Sequence, residues 1–409
     1  METKQPEPDC TTKIKLSFIL FGISSLLPWN AILTQLSFFD KHVKKISPMS
    51  TFSFLNFAFN IVLQFLLLWK KDLFKIKYQL IVGLASSIVF LILIPTLVMV
   101  LEGKDIINFV IVILVLIMGL TNALLSSGFF ALASFFKTEQ IVELSTSQGF
   151  SGIIMNIIEY FILAFTDGDS KVGVMIFFII SCVILLTTLI VLIFSLNSEF
   201  FVYYLEFESN NEINEIDAGN EIVDNNNLKE DEENLLKPKL TFCQMFNILK
   251  EMDILCCILY IVTFAEFPVG FNIDLFNFSN FSMNTILTIY NVFDTLGRYL
   301  TAYIKANKIL IYIIVISRII LLATIPICFR MRVKGNGFSD YGIIINDSLL
   351  AITNGIGTTL IFAFAPSLVN DEYKGQAGAS VSFFIIVGIC LGSILQLATG
   401  PIFESLRKK

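Results

Sequence analysis

Charge is scarce in this sequence: Asp, Glu, Lys and Arg make up 15% of its 409 residues, against about a quarter in soluble domains. With 55% hydrophobic residues and a mean hydropathy of +0.78, an ordinary water-soluble fold is excluded. Histidine occurs once, His42, in a charged loop, so chemistry that needs a His base or a His-ligated metal has a single ill-placed candidate. The seven cysteines show no CxxC spacing, and most lie in apolar stretches where a thiol packs as a small hydrophobe. Neither a disulfide framework nor a metal site is expected, and no motif calls for a cofactor. There is also no zinc finger, Gly-rich phosphate loop or basic-aromatic pattern, and a net charge of −6 provides no basic field, so nucleic acid is not an expected partner. The opening METKQPEPDC lacks the apolar core and small-residue cleavage site of a signal peptide, so the first hydrophobic segment is expected to remain as a span. Together these absences weigh against an enzyme and for a polytopic membrane protein.

What is present is a series of apolar segments. A bilayer core about 30 Å thick takes about 20 apolar residues per helix. By that measure the chain holds about eleven spans, near 14–38, 48–69, 79–101, 107–135, 143–166, 172–197, 252–272, 281–304, 308–330, 340–367 and 376–402. One connector stands apart. Residues 198–250, rich in Asn and Glu, are too polar and too uniformly charged to repay the entropy of folding. They read as a disordered acidic loop that separates a first six-helix bundle (14–197) from a second five-helix bundle (251–402), with an N-terminal segment 1–13 and a tail 403–409. Residues 205–235 alone carry −10, so the rest of the chain is positive by +4. Lys and Arg in the short loops divide evenly between the two sides, and only Lys237, Lys239 and Lys250 tip the N-terminus and long loop toward the cytosol. The sequons at Asn277 and Asn280 would then lie outside.

Two basic residues, Arg298 and Arg318, fall inside proposed spans, where an unpaired charge costs several kcal/mol and must face protein or a wet cavity. Asp294 precedes Arg298 by four residues, which puts both on one helix face and lets the carboxylate neutralise the guanidinium. Asn284, Thr288, Asn291 and Thr295 continue that stripe. Similar stripes recur as Asn56, Asn60 and Gln64; Asn122 and Ser126; Ser145, Gln148, Asn156 and Glu159; and Asp347, Asn354 and Thr358. Each alone reads as interhelical glue as readily as solute contact. Together they suggest a shared hydrophilic cavity of amides, hydroxyls and one compensated ion pair, suited to an uncharged, hydrogen-bonding solute.

Several motifs carry a family resemblance. SLLPWNAILTQLSFF in the first span resembles the LPWN signature of the equilibrative nucleoside transporters, and YNVFDTLGRYLTAY in the eighth is similar to their FDxxGR signature. SGFFALASFF, TSQGFSGI, VTFAEFPVG, SRIILLATIPI, TNG and GQAGASVSFFIIVGICLGSIL match in order along the chain. The resemblance implies an all-α, major-facilitator-like fold of eleven helices in a six-plus-five arrangement, with N-terminus and long loop cytosolic. It also implies passive, alternating-access carriage of nucleosides, and in some members nucleobases, by a monomer in the plasma membrane or an internal one. On this resemblance Trp29, Asp294 and Arg298 are expected at the substrate, joined by Asn30, Asn291 and Gln148. Gly149, Gly152, Arg318, Asn122 and Asn354 are expected to support them. Ser126 stands where many members carry a base-reading Gln, so base preference is expected to differ. Open alternatives are proton coupling through Glu159, Glu266 or Asp347, and a related carrier for a sugar or pteridine.

Overall fold

The computed structural model describes residues 12–43, 48–70, 75–166, 170–203, 242–267, 283–333, 338–370 and 373–407. The acidic stretch 204–241 and both sequons lie outside them. In lipid a chain must satisfy its own backbone hydrogen bonds, and these apolar segments do so as helices. The first bundle contains α1 (Thr12–Thr34), the short α2 (Leu36–His42), α3 (Pro48–Trp69), α4 (Ile76–Val100), α5 (Ile106–Ser134), α6 (Thr138–Phe165) and α7 (Lys171–Leu196). The second contains α8 (Phe242–Glu266), α9 (Met283–Leu300), α10 (Lys308–Ser317), α11 (Thr324–Val333), α12 (Phe338–Phe364) and α13 (Lys374–Arg407). Since α10 and α11 are joined by a 3-10 segment into one crossing, and α2 is too short to cross, the described residues make eleven crossings. Eight described helices are long and apolar enough to span a membrane on their own. The remaining crossings are α8, the polar-striped α9, and the interrupted α10–α11.

Several helix boundaries differ from the sequence expectation. The first span ends at Thr34, because the backbone leaves helical geometry at Gln35, whose buried side chain donates to Glu159 on α6. The ninth span is broken at Arg318–Ala323, where Arg318 is drawn fully inside the second bundle. The seventh begins at Phe242 and ends at Glu266, so residues 242–250, expected in the loop, are helical. The last helix runs to Arg407, through most of the expected tail.

Ion pairs mark the two membrane faces. Lys15 and Glu143, and Lys308 and Glu251, meet on the face that carries Thr12; His42, Glu102 and Lys171 meet on the opposite face. The bundles join where α3, α5 and α6 face α9, α12 and α13. Helix α5 lies at the heart of this junction: every residue from Thr121 to Ser134 is buried, so its second half has no lipid-facing side. Outward-pointing Phe161, Phe165, Phe194 and Ile320 are the apolar surface left to lipid tails.

Candidate functional site

A cavity of about 120 Å3 lies between the bundles. It is lined from the first bundle by Trp29, Asn30, Asn56, Asn60, Asn122, Ser126, Gln148 and Gly149, and from the second by Tyr260, Phe264, Tyr290, Asn291, Asp294, Arg298 and Asn354, among others. Ten of the twelve residues singled out in the sequence therefore meet in one place. Gly152 stands just behind, where a Cβ would come within 2.4 Å of the Asn291 amide. Arg318 lies elsewhere, inside the second bundle.

Asp294 and Arg298 form the polar centre. They are 6% and 3% exposed, and Nε of Arg298 donates to Asp294 Oδ2 at 2.7 Å, the i,i+4 geometry expected along α9. The remaining bonds tie the pair to both halves of the molecule. Arg298 Nη1 crosses to α6, donating to the Ser145 carbonyl (3.1 Å) and hydroxyl (3.0 Å) and to Gln148 Oε1 (3.1 Å). Asp294 Oδ1 accepts from Asn354 Nδ2 on α12 at 2.8 Å. Behind Asn354 the chain continues: its Oδ1 accepts from Thr263 (2.9 Å), and Thr263 Oγ1 accepts from Arg318 Nη2. Arg318 also donates to the Leu350 carbonyl and Thr353 hydroxyl, both at 2.7 Å. It is thus a buttress that reaches Asp294 through Thr263 and Asn354. A charge held away from water persists only when it is paired and hydrogen-bonded, and Asp294 and Arg298 are paired with each other and bonded to α12 and α6.

Close helix approach makes this geometry possible. A Cβ on Gly355 would lie 2.0 Å from the Asp294 carbonyl, and one on Gly149 2.7 Å from Thr295 Oγ1, so α12 and α6 can both press against α9 at the pair. On the first bundle, Gln148 donates to Ser25 (3.1 Å) and Asn30 to Ser151 (3.1 Å), fixing α6 against α1. Ser126 donates to the Asn122 carbonyl and accepts from Gln64, each at 2.9 Å, so its single hydroxyl proton is already committed.

An aromatic band crosses the cavity, and no sequence periodicity announced it. Trp29 meets Phe57 edge-on at 5.1 Å, Phe57 meets Phe264 at 5.8 Å, and Phe264 lies over Tyr260; Phe267 stacks on Tyr290 at 3.9 Å. With Phe at 41 positions, the few that face a cavity cannot be told apart by composition. Asn56 and Asn60, expected as one of the polar stripes around a shared cavity, do line it. On the Thr12 side of the cavity the bundles close against each other. The rings of Phe130 and Phe362 stack at 3.6 Å, Ser145 and Thr359 share a 2.7 Å hydrogen bond, and Gly375 and Gly378 of α13 sit against Phe135 and Ser134 at the end of α5.

The chain has recognisable relatives. A family model described as "Nucleoside transporter" matches residues 111–398. Equilibrative nucleoside transporter 1 of Homo sapiens is 22% identical, the match covering 97% of this chain and 98% of that protein. Equilibrative nucleoside transporter 2 of Rattus norvegicus is 26% identical over 94% and 96% of the two chains. Equilibrative nucleotide transporter 1 of Arabidopsis thaliana is 21% identical over 96% and 87%. Among solved structures, the major facilitator superfamily proton:xylose symporter XylE superposes with a TM-score of 0.66 at 12% identity, covering 97% of this chain and 90% of that one. A bacterial homologue of ferroportin in its outward-facing state superposes with a TM-score of 0.62, also at 12% identity, over 98% and 95%. At such identities these structures establish the fold, which is of the major-facilitator type.

Proposed function

This chain belongs to the nucleoside transporter family, as a multi-pass membrane carrier of nucleosides, and on that premise we propose how its own residues perform the transport. The solute occupies the cavity between the bundles, with its sugar at Asp294 and Arg298 and its base among the aromatic rings. A carboxylate oxygen accepts from sugar hydroxyls, and Arg298 Nη2, which has no protein partner among the described residues, donates to them. Trp29, Tyr260, Phe264 and Tyr290 offer flat apolar faces to a heterocycle. Asn30, Gln148, Asn291 and Ser126 supply further polar contacts from both bundles.

One observation carries this reading: a buried, compensated ion pair stands in the wall of an interbundle cavity and is bonded to both bundles at once. Any solute that binds there acts on the bond between Arg298 and α6, so occupancy and the rocking of the bundles are coupled. No chemical step is required of the protein, and net flux follows the solute gradient. The Thr12 face is cytosolic in this reading, the chain acts as a monomer in the plasma membrane, and free nucleobases, which lack the sugar, bind less tightly than nucleosides.

Uptake of labelled adenosine, inosine and uridine into proteoliposomes tests it. Truncating one member of a buried pair strands the other at a cost of about 3–5 kcal/mol, enough to weaken binding more than about a hundredfold. Asp294→Ala and Arg298→Ala are each expected to reduce uptake to background while the protein still inserts, and dideoxy nucleosides without sugar hydroxyls are expected to compete poorly. Normal uptake by both inserted variants would defeat the assignment.

A further inference from the structure

The cavity wall opposite Asp294 holds an amide pair whose bonding is incomplete. Asn56 on α3 and Asn122 on α5 both line the cavity, and Asn122 Nδ2 donates to Asn56 Oδ1 at 2.9 Å. Two facing amides can exchange two hydrogen bonds. These make one, leaving Asn56 Nδ2 and Asn122 Oδ1 buried and without a partner among the described residues. The residues are 0% and 5% exposed. Nearly all buried polar groups in proteins are paired, so an idle donor beside an idle acceptor in a cavity wall needs an explanation. Helix glue does not provide one, because glue would be saturated.

The backbone holds the pair in place. Gly119, one turn before Asn122, lets α3 approach so closely that a Cβ there would stand 2.1 Å from the Asn56 carbonyl. The close main-chain approach of α3 and α5 thus brings the two amides together. Neighbouring donors are committed: the Gln64 amide N–H2 donates to Asn60 and Ser126, and Ser126 donates to the Asn122 carbonyl. The free capacity at this wall is thus the Asn56 amide N–H2, the Asn122 carbonyl oxygen and, behind them, the Gln64 carbonyl oxygen.

We propose that Asn56 and Asn122 form the subsite that reads the edge of the base. The chemistry that fits is a heterocycle edge with an acceptor next to a donor: the carbonyl and ring N–H of a lactam, as in inosine or uridine, or the ring nitrogen and amino group of an amidine, as in adenosine. The acceptor takes the Asn56 N–H and the donor gives to Asn122 Oδ1. Asp294 and Arg298 belong to the other bundle, so a solute held at both ends ties α3 and α5 to α9. This proposal rests on the nucleoside reading and assigns the base within it.

The test compares solutes that differ only at that edge. With the unaltered protein in proteoliposomes, 1-methylinosine, which lacks the ring donor, and purine riboside, which lacks both the carbonyl and the N–H, are expected to compete for labelled inosine uptake about three- to tenfold less well than unlabelled inosine. Equal competition by all three overturns the proposal. The variant Asn56→Leu/Asn122→Leu replaces both amides by apolar groups of similar shape, a change that folded proteins tolerate. It is expected to carry inosine and purine riboside with equal KM. A preference for inosine that survives in this variant also overturns the proposal. Absence of uptake of any nucleoside by the unaltered protein would remove the underlying reading, and the proposal with it; the competition series is interpreted only once that uptake is seen.

Discussion

Gly378 offers a direct way to unbalance the two access states. It lies near the start of α13 and meets the end of α5 across the bundle interface, on the Thr12 side of the cavity. A Cβ added there would stand 2.2 Å from Ser134 Oγ and 2.8 Å from the Phe130 carbonyl oxygen. The Ser134 hydroxyl can rotate, but it then gives up its 2.7 Å bond to that carbonyl. The carbonyl itself is backbone, and opening its contact from 2.8 Å to the ordinary 3.4 Å requires the helices to part by 0.6 Å. Overpacking of this kind costs about 1–3 kcal/mol. Because the contact joins the two bundles, the cost falls only on the conformation closed at this face. Gly378→Ala should therefore raise the population open at the Thr12 face about 5- to 150-fold. Leu26→Cys, which lines the cavity, reports this population through its rate of reaction with a membrane-impermeant maleimide added on that side. Gly297→Ala is the control. Its Cβ would lie 2.2 Å from the Ile352 carbonyl within the second bundle, so it strains both conformations and should lower the yield of folded protein without changing the labelling ratio. If Gly378→Ala leaves the labelling rate unchanged, this contact is not what closes the face.

Two further outcomes follow from the same geometry. Arg318→Ala should lower the unfolding temperature in detergent and weaken inosine affinity, because about 1.5–3 kcal/mol is lost for each charged hydrogen bond left unmade and the Thr263–Asn354 support of Asp294 goes with it; a variant with unaltered stability and KM would refute the buttress role. An imposed pH gradient should leave the initial rate of nucleoside uptake by proteoliposomes unchanged, since facilitative flux follows only the solute gradient; accumulation of nucleoside driven by that gradient would contradict it.

Much of the site was legible before any coordinates. Asp294 and Arg298 could be paired from their i,i+4 spacing, because a helix in lipid cannot leave a lone charge unpaired and the spacing fixes which face both occupy. The stripe Asn56, Asn60 and Gln64 was equally visible, but a stripe states only that one helix side is polar. Whether those amides saturate one another or leave capacity for a solute depends on distances between α3 and α5, which periodicity does not contain. Helix ends were misjudged where a single buried polar residue overrode hydropathy, at Gln35, whose amide is pulled toward Glu159, and at Arg318, which breaks its helix to reach carbonyls of its neighbours.

The division follows from the range of the forces involved. The shortage of charge and the lengths of the apolar segments already determined a helical membrane protein, because burying backbone polar groups in lipid leaves few other solutions, and local spacing determined its central ion pair. Only the tertiary structure decided which of 41 phenylalanines face the cavity. It also decided that Arg318 supports the site from behind, and that Asn56 and Asn122 meet with one donor and one acceptor unspent. Those facts depend on contacts between helices far apart in the chain, where the missing Cβ of a glycine sets how closely the backbones approach.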